Sequence, residues 1–346
     1  MERRYEACLV GCGRMGGTID DEMRGHPYYV LPHSHAGACK VVERIDLVAA
    51  ADIVKEKAMN LCERYQVPHD YNDYREMIEK EAPDILCIAT RPVNHAEIVV
   101  FAAEHGVKGI YCEKPLCCSM KEADVMLDAC QKHDVKFNYG TNRRFVPLFW
   151  RMRELIDNGE LGELQSVTAL SSGVAQWSLT HTTDMLLYLA QDAEIELVQG
   201  HITCEEADFS DNRLESDPQV NMGYVRFKTG VNGYVVNGTG YEFEISGSKG
   251  RLRTINDTGA LSYRMIMGEH DLLTEMPALV YAHESGTVNA LRDIVKSLES
   301  GGATLGNLSL ACRSQEMIIG FVESHRQGGA RVKLPLENRE LYVGTW

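Results

Sequence analysis

Ala7-Cys8-Leu9-Val10-Gly11-Cys12-Gly13-Arg14-Met15-Gly16 is the stretch that decides the fold. An apolar, strand-like run breaks into Gly-x-Gly-x-x-Gly and opens a helical pattern expected from Arg14 to about Asp21. Each glycine meets a separate requirement. The first allows a sharp turn, the second lets backbone approach a phosphate, and the third lets the helix pack close to the strand. The free N–H groups and macrodipole of a helix N-terminus favour an anion there. Glycine is also common in plain loops, so the pattern that follows decides whether a dinucleotide pyrophosphate is held.

Ile45 to Ala51 reads as the second strand, and Asp52 stands at its carboxyl end. A carboxylate there can accept both hydroxyls of an adenosine ribose and repels a 2′-phosphate, which favours NAD over NADP. The same Asp could cap a helix starting at Val54, and the two roles are compatible. Asp52 lies 36 residues beyond Gly16, and the surplus reads as an insertion, the irregular stretch Arg24 to His35 with Gly25, Pro27 and Pro32. His33, His35 and Cys39 invite a metal reading. No fourth ligand stands at suitable spacing, so no metal is expected and the histidines read as polar surface.

Alternation then continues. Helices are expected near 54–64 and 72–80, a strand at 84–89, a helix at 94–105 and a strand at 108–112. A helix opened by the capping box Ser119-Met-Lys-Glu122 and a strand at 135–139 complete the series. Strands separated by ten-residue helical patterns form a parallel doubly wound sheet, whose ligands gather at the carboxyl ends of its strands. Three polar clusters stand there: Thr90-Arg91-Pro92-Val93-Asn94-His95, Glu113-Lys114-Pro115, and Tyr139-Gly140-Thr141-Asn142-Arg143-Arg144. Beyond Phe145 the pattern changes. A helix near 146–157 and another near 179–190 lead into strands at 223–227, 233–237, 241–246 and 251–255. Thr229 to Gly233 marks a hairpin, so these strands are expected to be antiparallel. Helices near 285–299 and 306–326 close the chain.

The 346 residues are too many for one ordinary core. The expected domains are therefore a Rossmann domain at 1–145 and an α+β domain at 146–346. A net charge of −15 argues against nucleic acid or an anionic membrane as partner. No apolar stretch approaches the roughly 20 residues that span a bilayer, and the N-terminus leads straight into the first strand. A cytoplasmic protein is expected. The eleven cysteines, an odd number without Cys-x-x-Cys, read as reduced core residues.

At Glu113-Lys114-Pro115 the chain resembles the Gfo/Idh/MocA oxidoreductases. The resemblance rests on the glycine motif, Asp52, the stretch 90–95, Glu-Lys-Pro at 113–115, and Arg144-Phe145 followed by Pro147. It continues through Gly159-Glu-Leu-Gly162, His181-x-x-Asp184, Ile245-Ser-Gly-Ser-Lys-Gly250 and Val332-Lys-Leu-Pro335. It implies an α/β Rossmann doubly wound parallel sheet, then a C-terminal α+β domain whose large, mostly antiparallel open sheet often makes subunit contacts. A homo-oligomer, dimer or tetramer, follows. It also implies hydride transfer between nicotinamide and a carbon of a sugar, sugar acid, cyclitol or glycoside.

By this similarity Lys114 and His181 form the catalytic pair. A histidine has the intrinsic pKa of a base for a hydroxyl proton, and a lysine can stabilise negative charge developing on the same oxygen. Asp184, one helical turn on from His181, lies on the same face and completes the catalytic set. The expected cofactor contacts are Gly11, Gly13, Arg14, Met15, Gly16, Asp52 and Ile53 at the first two strands. Thr90, Arg91, His95, Glu113, Lys114 and Asn142 follow at the later ones. Arg144, Trp177 and His181 are expected at the substrate. Trp177 stands where many family members carry Asp, which removes a hydroxyl acceptor and offers a flat apolar face with one N–H donor. The alternative is that Trp177 belongs to the core. Two other readings are an enzyme that retains and recycles its NAD, as aldose-ketose oxidoreductases and NAD-using glycosidases do, and a non-catalytic nicotinamide-binding regulator.

Overall fold

The computed structural model describes residues 3–268 and 272–345; Met1, Glu2, Glu269, His270, Asp271 and Trp346 of the expected domains lie outside the described residues. The chain divides into two compact units. Unit 1 comprises residues 1–117, 121–146 and 283–311, and unit 2 comprises 118–120, 147–282 and 312–346.

Unit 1 is built on six strands, β1 (Tyr5–Val10), β2 (Ile45–Ala51), β3 (His69–Tyr71), β4 (Ile85–Ile88), β5 (Gly109–Cys112) and β6 (Lys136–Tyr139), in the order β3-β2-β1-β4-β5-β6. All five pairings are parallel. Strand β4 is buried throughout, as a strand covered on both faces must be. The register sets the site. Ala51, Val10, Ile88, Cys112 and Tyr139 are successive partners across the sheet, so Asp52, Gly11, Ala89, Glu113 and Gly140 emerge side by side from its carboxyl edge.

Helix α1 (Ile19–Met23) follows a π-helical turn at Arg14–Thr18. Inside the stretch between β1 and β2 lies α2 (His35–Val41), which spacing alone did not reveal. Ser34 caps it, accepting from Gly37 N at 3.1 Å, and Ala36, Ala38 and Cys39 enter the core. The supposed polar-surface histidine His35 is fully buried. Helices α3 (Lys55–Tyr65), α4 (Tyr74–Glu81) and α5 (His95–Glu104) match expectation within two residues, and α6 (Met120–Lys132) starts right after Ser119, whereas the three-residue edge strand β3 carries no apolar signature of its own.

The expected boundary at 145/146 omits one return of the chain. The helix Gly286–Ser300, expected in the C-terminal domain, belongs to unit 1. Its Val288, Leu291, Ile294 and Val295 join the core with Leu9, Ile85 and Tyr111. Asn138 Nδ2 donates to Ala290 O at 2.8 Å. A Cβ on Gly109 would lie 2.7 Å from Ile294 Cγ2, so the helix packs where β5 lacks a side chain.

In unit 2 the strands are β7 (Leu164–Leu170), β8 (Gly173–Val174), β9 (Ile195–Thr203), β10 (Phe209–Ser210), β11 (Arg213–Leu214), β12 (Gln219–Phe227), β13 (Asn232–Val236), β14 (Glu242–Gly247), β15 (Gly250–Ile255), β16 (Ala260–Ile266), β17 (Leu273–Glu275), β18 (Val332–Lys333) and β19 (Tyr342–Val343). Ten of them form one sheet in the order β17-β16-β15-β14-β7-β13-β12-β9-β18, with β8 beside β12, and β10, β11 and β19 form a smaller one. The large sheet is antiparallel except for the parallel pair β7–β13. The expected hairpin is present: β12 and β13 pair from Met222–Val236 to Arg226–Asn232. Burial alternates along β13, which marks a sheet covered on one face. The helix Leu308–Arg326 covers it closely, because a Cβ on Gly200 or Gly223 would meet Phe321 at 2.5 or 2.7 Å.

Candidate functional site

The glycine turn follows β1 directly. Gly11 has φ +94, and a Cβ there would lie 2.6 Å from Ala89 O. One on Gly16 would lie 2.1 Å from Gly11 O. Both positions therefore exclude side chains by geometry, whereas nothing lies within 4 Å of the Cβ position of Gly13. The second glycine thus opens onto free space beside the start of a helical turn, the cradle that a pyrophosphate requires.

Asp52 is fixed from two sides. Cys12 N donates to its Oδ2 at 2.8 Å and Val54 N to its Oδ1 at 2.9 Å. The carboxylate ties the glycine turn to the end of β2 and keeps further lone pairs for ribose hydroxyls. Next to it Ile53 is 88 % exposed, an apolar side chain in water beside the nucleotide path. Arg14 is exposed and paired with Glu22 at 2.8 Å, and Met15 is half-buried. The donor set fits NAD.

At the end of β4, Thr90 is half-buried and Arg91 exposed. His95 departs from its expected role as a cofactor contact. It is fully buried, with Nδ1 3.1 Å from Leu116 O and Nε2 3.2 Å from Thr90 O. The ring lies between these two backbone carbonyls and donates to one of them as the neutral imidazole, so it braces the loops after β4 and β5. Burial lowers its pKa below that of an ordinary histidine.

After β5, Glu113 is 3 % exposed and Lys114 half-buried. Glu113 Oε1 lies 3.1 Å from His35 Nε2, and Lys114 N donates to its Oε2 at 3.1 Å. The Lys114–Pro115 peptide is cis. Gly140 at the end of β6 is required by close approach, since its Cβ would stand 2.8 Å from Glu113 Cα. Asn142 Nδ2 lies 3.2 Å from His33 Nδ1. Arg144, expected at the substrate, is fully buried, and its Nη1 donates to Leu305 O at 3.5 Å. The cost of burying its charge demands such partners.

In unit 2, α7 (Pro147–Asp157) precedes β7, and α8 (Leu179–Leu189) carries His181 and Asp184. Every other residue of α8 is buried. Two of its buried threonines meet side chains: Thr183 Oγ1 lies 2.9 Å from Ser314 Oγ, and Thr182 Oγ1 3.1 Å from Ser171 Oγ. His181, half-buried, is the single opening of the helix. Asp184 is 2 % exposed. Trp177 is not core: its indole is 51 % exposed. Asp217, which sequence reasoning passed over, accepts Gln176 N at 2.7 Å and Trp177 N at 2.9 Å and so fixes the approach to α8. The isolated dipeptide Asp217-Pro218 carries no local signal for that role. Among the described residues no cluster of three or more His, Cys, Asp or Glu could hold a metal ion, and no helix is long and apolar enough to cross a membrane.

Known families agree with this arrangement. The NAD-binding Rossmann fold of the Gfo/Idh/MocA oxidoreductase family matches residues 6–141, and the family's C-terminal alpha/beta domain matches residues 153–334. The chain belongs to that family. As a Gfo/Idh/MocA oxidoreductase it has relatives among inositol dehydrogenases. Myo-inositol 2-dehydrogenase of Thermotoga maritima is 27 % identical over 265 residues, 70 % of this chain and 73 % of that one. The scyllo-inositol 2-dehydrogenase (NAD(+)) of Bacillus subtilis is 26 % identical over 250 residues, 68 % and 67 % of the two chains. The fold is shared with levoglucosan dehydrogenase in complex with NADH and levoglucosan, at a TM-score of 0.77 and 20 % identity, over 96 % of this chain and 100 % of that one. The family assignment makes the chain an oxidoreductase with an NAD-binding Rossmann domain.

Proposed function

We propose that this Gfo/Idh/MocA protein transfers a hydride between NAD and a hydroxyl-bearing carbon of a cyclitol, sugar, sugar acid or glycoside. The observation that carries the reading is His181, the one residue of α8 that burial leaves open, while Asp184 lies buried one turn on. NAD supplies the hydride acceptor. Lys114 Nζ donates a hydrogen bond to the reacting oxygen and stabilises charge on it. His181 takes the hydroxyl proton as the hydride leaves the same carbon, and a carbonyl remains. In the reverse direction the imidazolium returns that proton. Asp184 offsets the positive charge that His181 gains. Trp177 offers an indole face to the apolar side of a sugar or cyclitol ring. Asp52, with one oxygen on the glycine turn and the other on Val54 N, supports NAD over NADP. Exposed Met222, Tyr234 and Val236 on β12 and β13 support a homo-oligomer formed through the sheet.

The test is absorbance of reduced nicotinamide with NAD and NADP against a panel of cyclitols, sugars, sugar acids and anhydrosugars. Reduction of NAD by one of these classes, faster than of NADP, is expected. No turnover with any of them, by protein shown to bind NAD, would overturn the proposal.

A further inference from the structure

We propose that His35 is a positioning residue for Lys114, acting through Glu113; the inference rests on the catalytic reading of Lys114 given above. His35 is the first residue of α2, in the stretch between β1 and β2, 78 positions before Glu113. Its ring is fully buried and tilted against Tyr111, with centroids 4.6 Å apart. His35 Nε2 donates to Glu113 Oε1, while Glu113 Oε2 accepts the backbone N–H of Lys114, each at 3.1 Å. The carboxylate is thus clamped between an imidazole on one side and the peptide that carries the lysine on the other.

A carboxylate this buried needs donors to both oxygens. Without His35, Glu113 keeps the Lys114 N–H and loses its fixed orientation, or turns away and releases the Lys114 peptide. Close packing beneath the turn makes the clamp directional. Gly140 leaves no room for Glu113 to settle toward β6, because even a Cβ there would lie 2.8 Å from Glu113 Cα. The segment bearing His35 is itself anchored. Asp20 Oδ1 accepts His33 N at 2.6 Å and Ser34 N at 2.9 Å, and Thr287 Oγ1 donates to His33 O at 3.2 Å. The same segment reaches Asn142 through His33. The inserted stretch therefore joins the helix after the glycine motif to the turn that carries Lys114.

The experiment compares His35→Gln with His35→Asn in the full-length protein. A Gln amide nitrogen reaches the place of Nε2, and that of Asn stops near Nδ1. Expected are a kcat for His35→Gln within about threefold of the parent and a loss of tenfold or more for His35→Asn. KM for NAD and melting temperature should be nearly equal in the two variants. Equal kcat in the two variants would overturn the positioning role, as would a loss carried by KM for NAD alone. If either variant fails to fold, Glu113→Gln supplies the readout: a kcat unchanged by that substitution overturns the proposal, and a tenfold loss with NAD affinity retained supports it. Lys114→Ala is measured alongside. Full activity in that variant would sink the underlying reading of Lys114, and loss of activity there with unchanged His35→Asn would sink only the inference about His35.

Discussion

At the strand ends of unit 1, polar side chains are held by partners remote in sequence: Asp52 by Cys12 N, Glu113 by His35, His95 by Leu116 O, and Asn142 by His33. Along α8 of unit 2 the arrangement is the opposite. Thr182 and Thr183 meet buried side-chain hydroxyls, and His181 alone is left open. Parallel strands deliver many loop residues to one edge, where they must be tied to one another to hold a shape. A helix presents a residue on a rigid frame by position alone. Substitution of Asp52, which holds the glycine turn itself, should therefore spread into cofactor binding, and substitutions at His181 should remain confined to the chemical step.

The sharpest break is Lys114→Ala, which should lower kcat about a thousandfold or more by removing the donor to the reacting oxygen. Steady-state kinetics beside NAD binding by fluorescence checks it; a hundredfold loss of NAD affinity would place Lys114 among the structural ties instead. His181→Asn should cost about a hundredfold in kcat. KM for NAD and the melting temperature should stay near those of the parent, and a large fall in either would erase the contrast with the strand ends. Asp52→Ala removes the acceptor of both Cys12 N and Val54 N. NAD affinity should fall roughly tenfold to a hundredfold, from one or two lost hydrogen bonds to a charged group, and the preference over NADP should narrow. Titration with both cofactors measures this.

Two glycines separate fold from ligand within the same turn. Gly16→Ala places a Cβ 2.1 Å from Gly11 O and should destabilise by about 3 kcal/mol or more in chemical denaturation. Gly13→Ala meets no atom within 4 Å and should melt within a few degrees of the parent while binding NAD poorly. The smallest effect concerns acid. Burial holds the pKa of His95 and of His33 below the ordinary value. As pH falls below about 6.5 the unfolded chain takes up protons that the folded chain refuses, so stability is lost in that direction. Melting temperature should drop between pH 7 and 5.5, and His95→Gln should flatten that slope; an unchanged slope would detach His95 from it.

Much of this molecule was legible in the order of its residues. The glycine motif, Asp52 at the end of a strand, the alternation from 45 to 139 and the helix bearing His181 and Asp184 are encoded by neighbours a few positions apart, because strand and helix periods repeat every two or 3.6 residues. Contacts across tens of residues leave no such trace. That His35 would meet Glu113, that His95 and Arg144 would be buried, that Trp177 would stand exposed on a turn held by Asp217, and that Gly286–Ser300 would return to unit 1 depended on sheet register and on which apolar faces needed cover. Local sequence determined the longer helices and central strands of unit 1, though not α2 or β3, and which residue types their ends carry. Tertiary packing decided their partners, because the burial that makes a hydrogen bond necessary exists only once distant segments have closed over it.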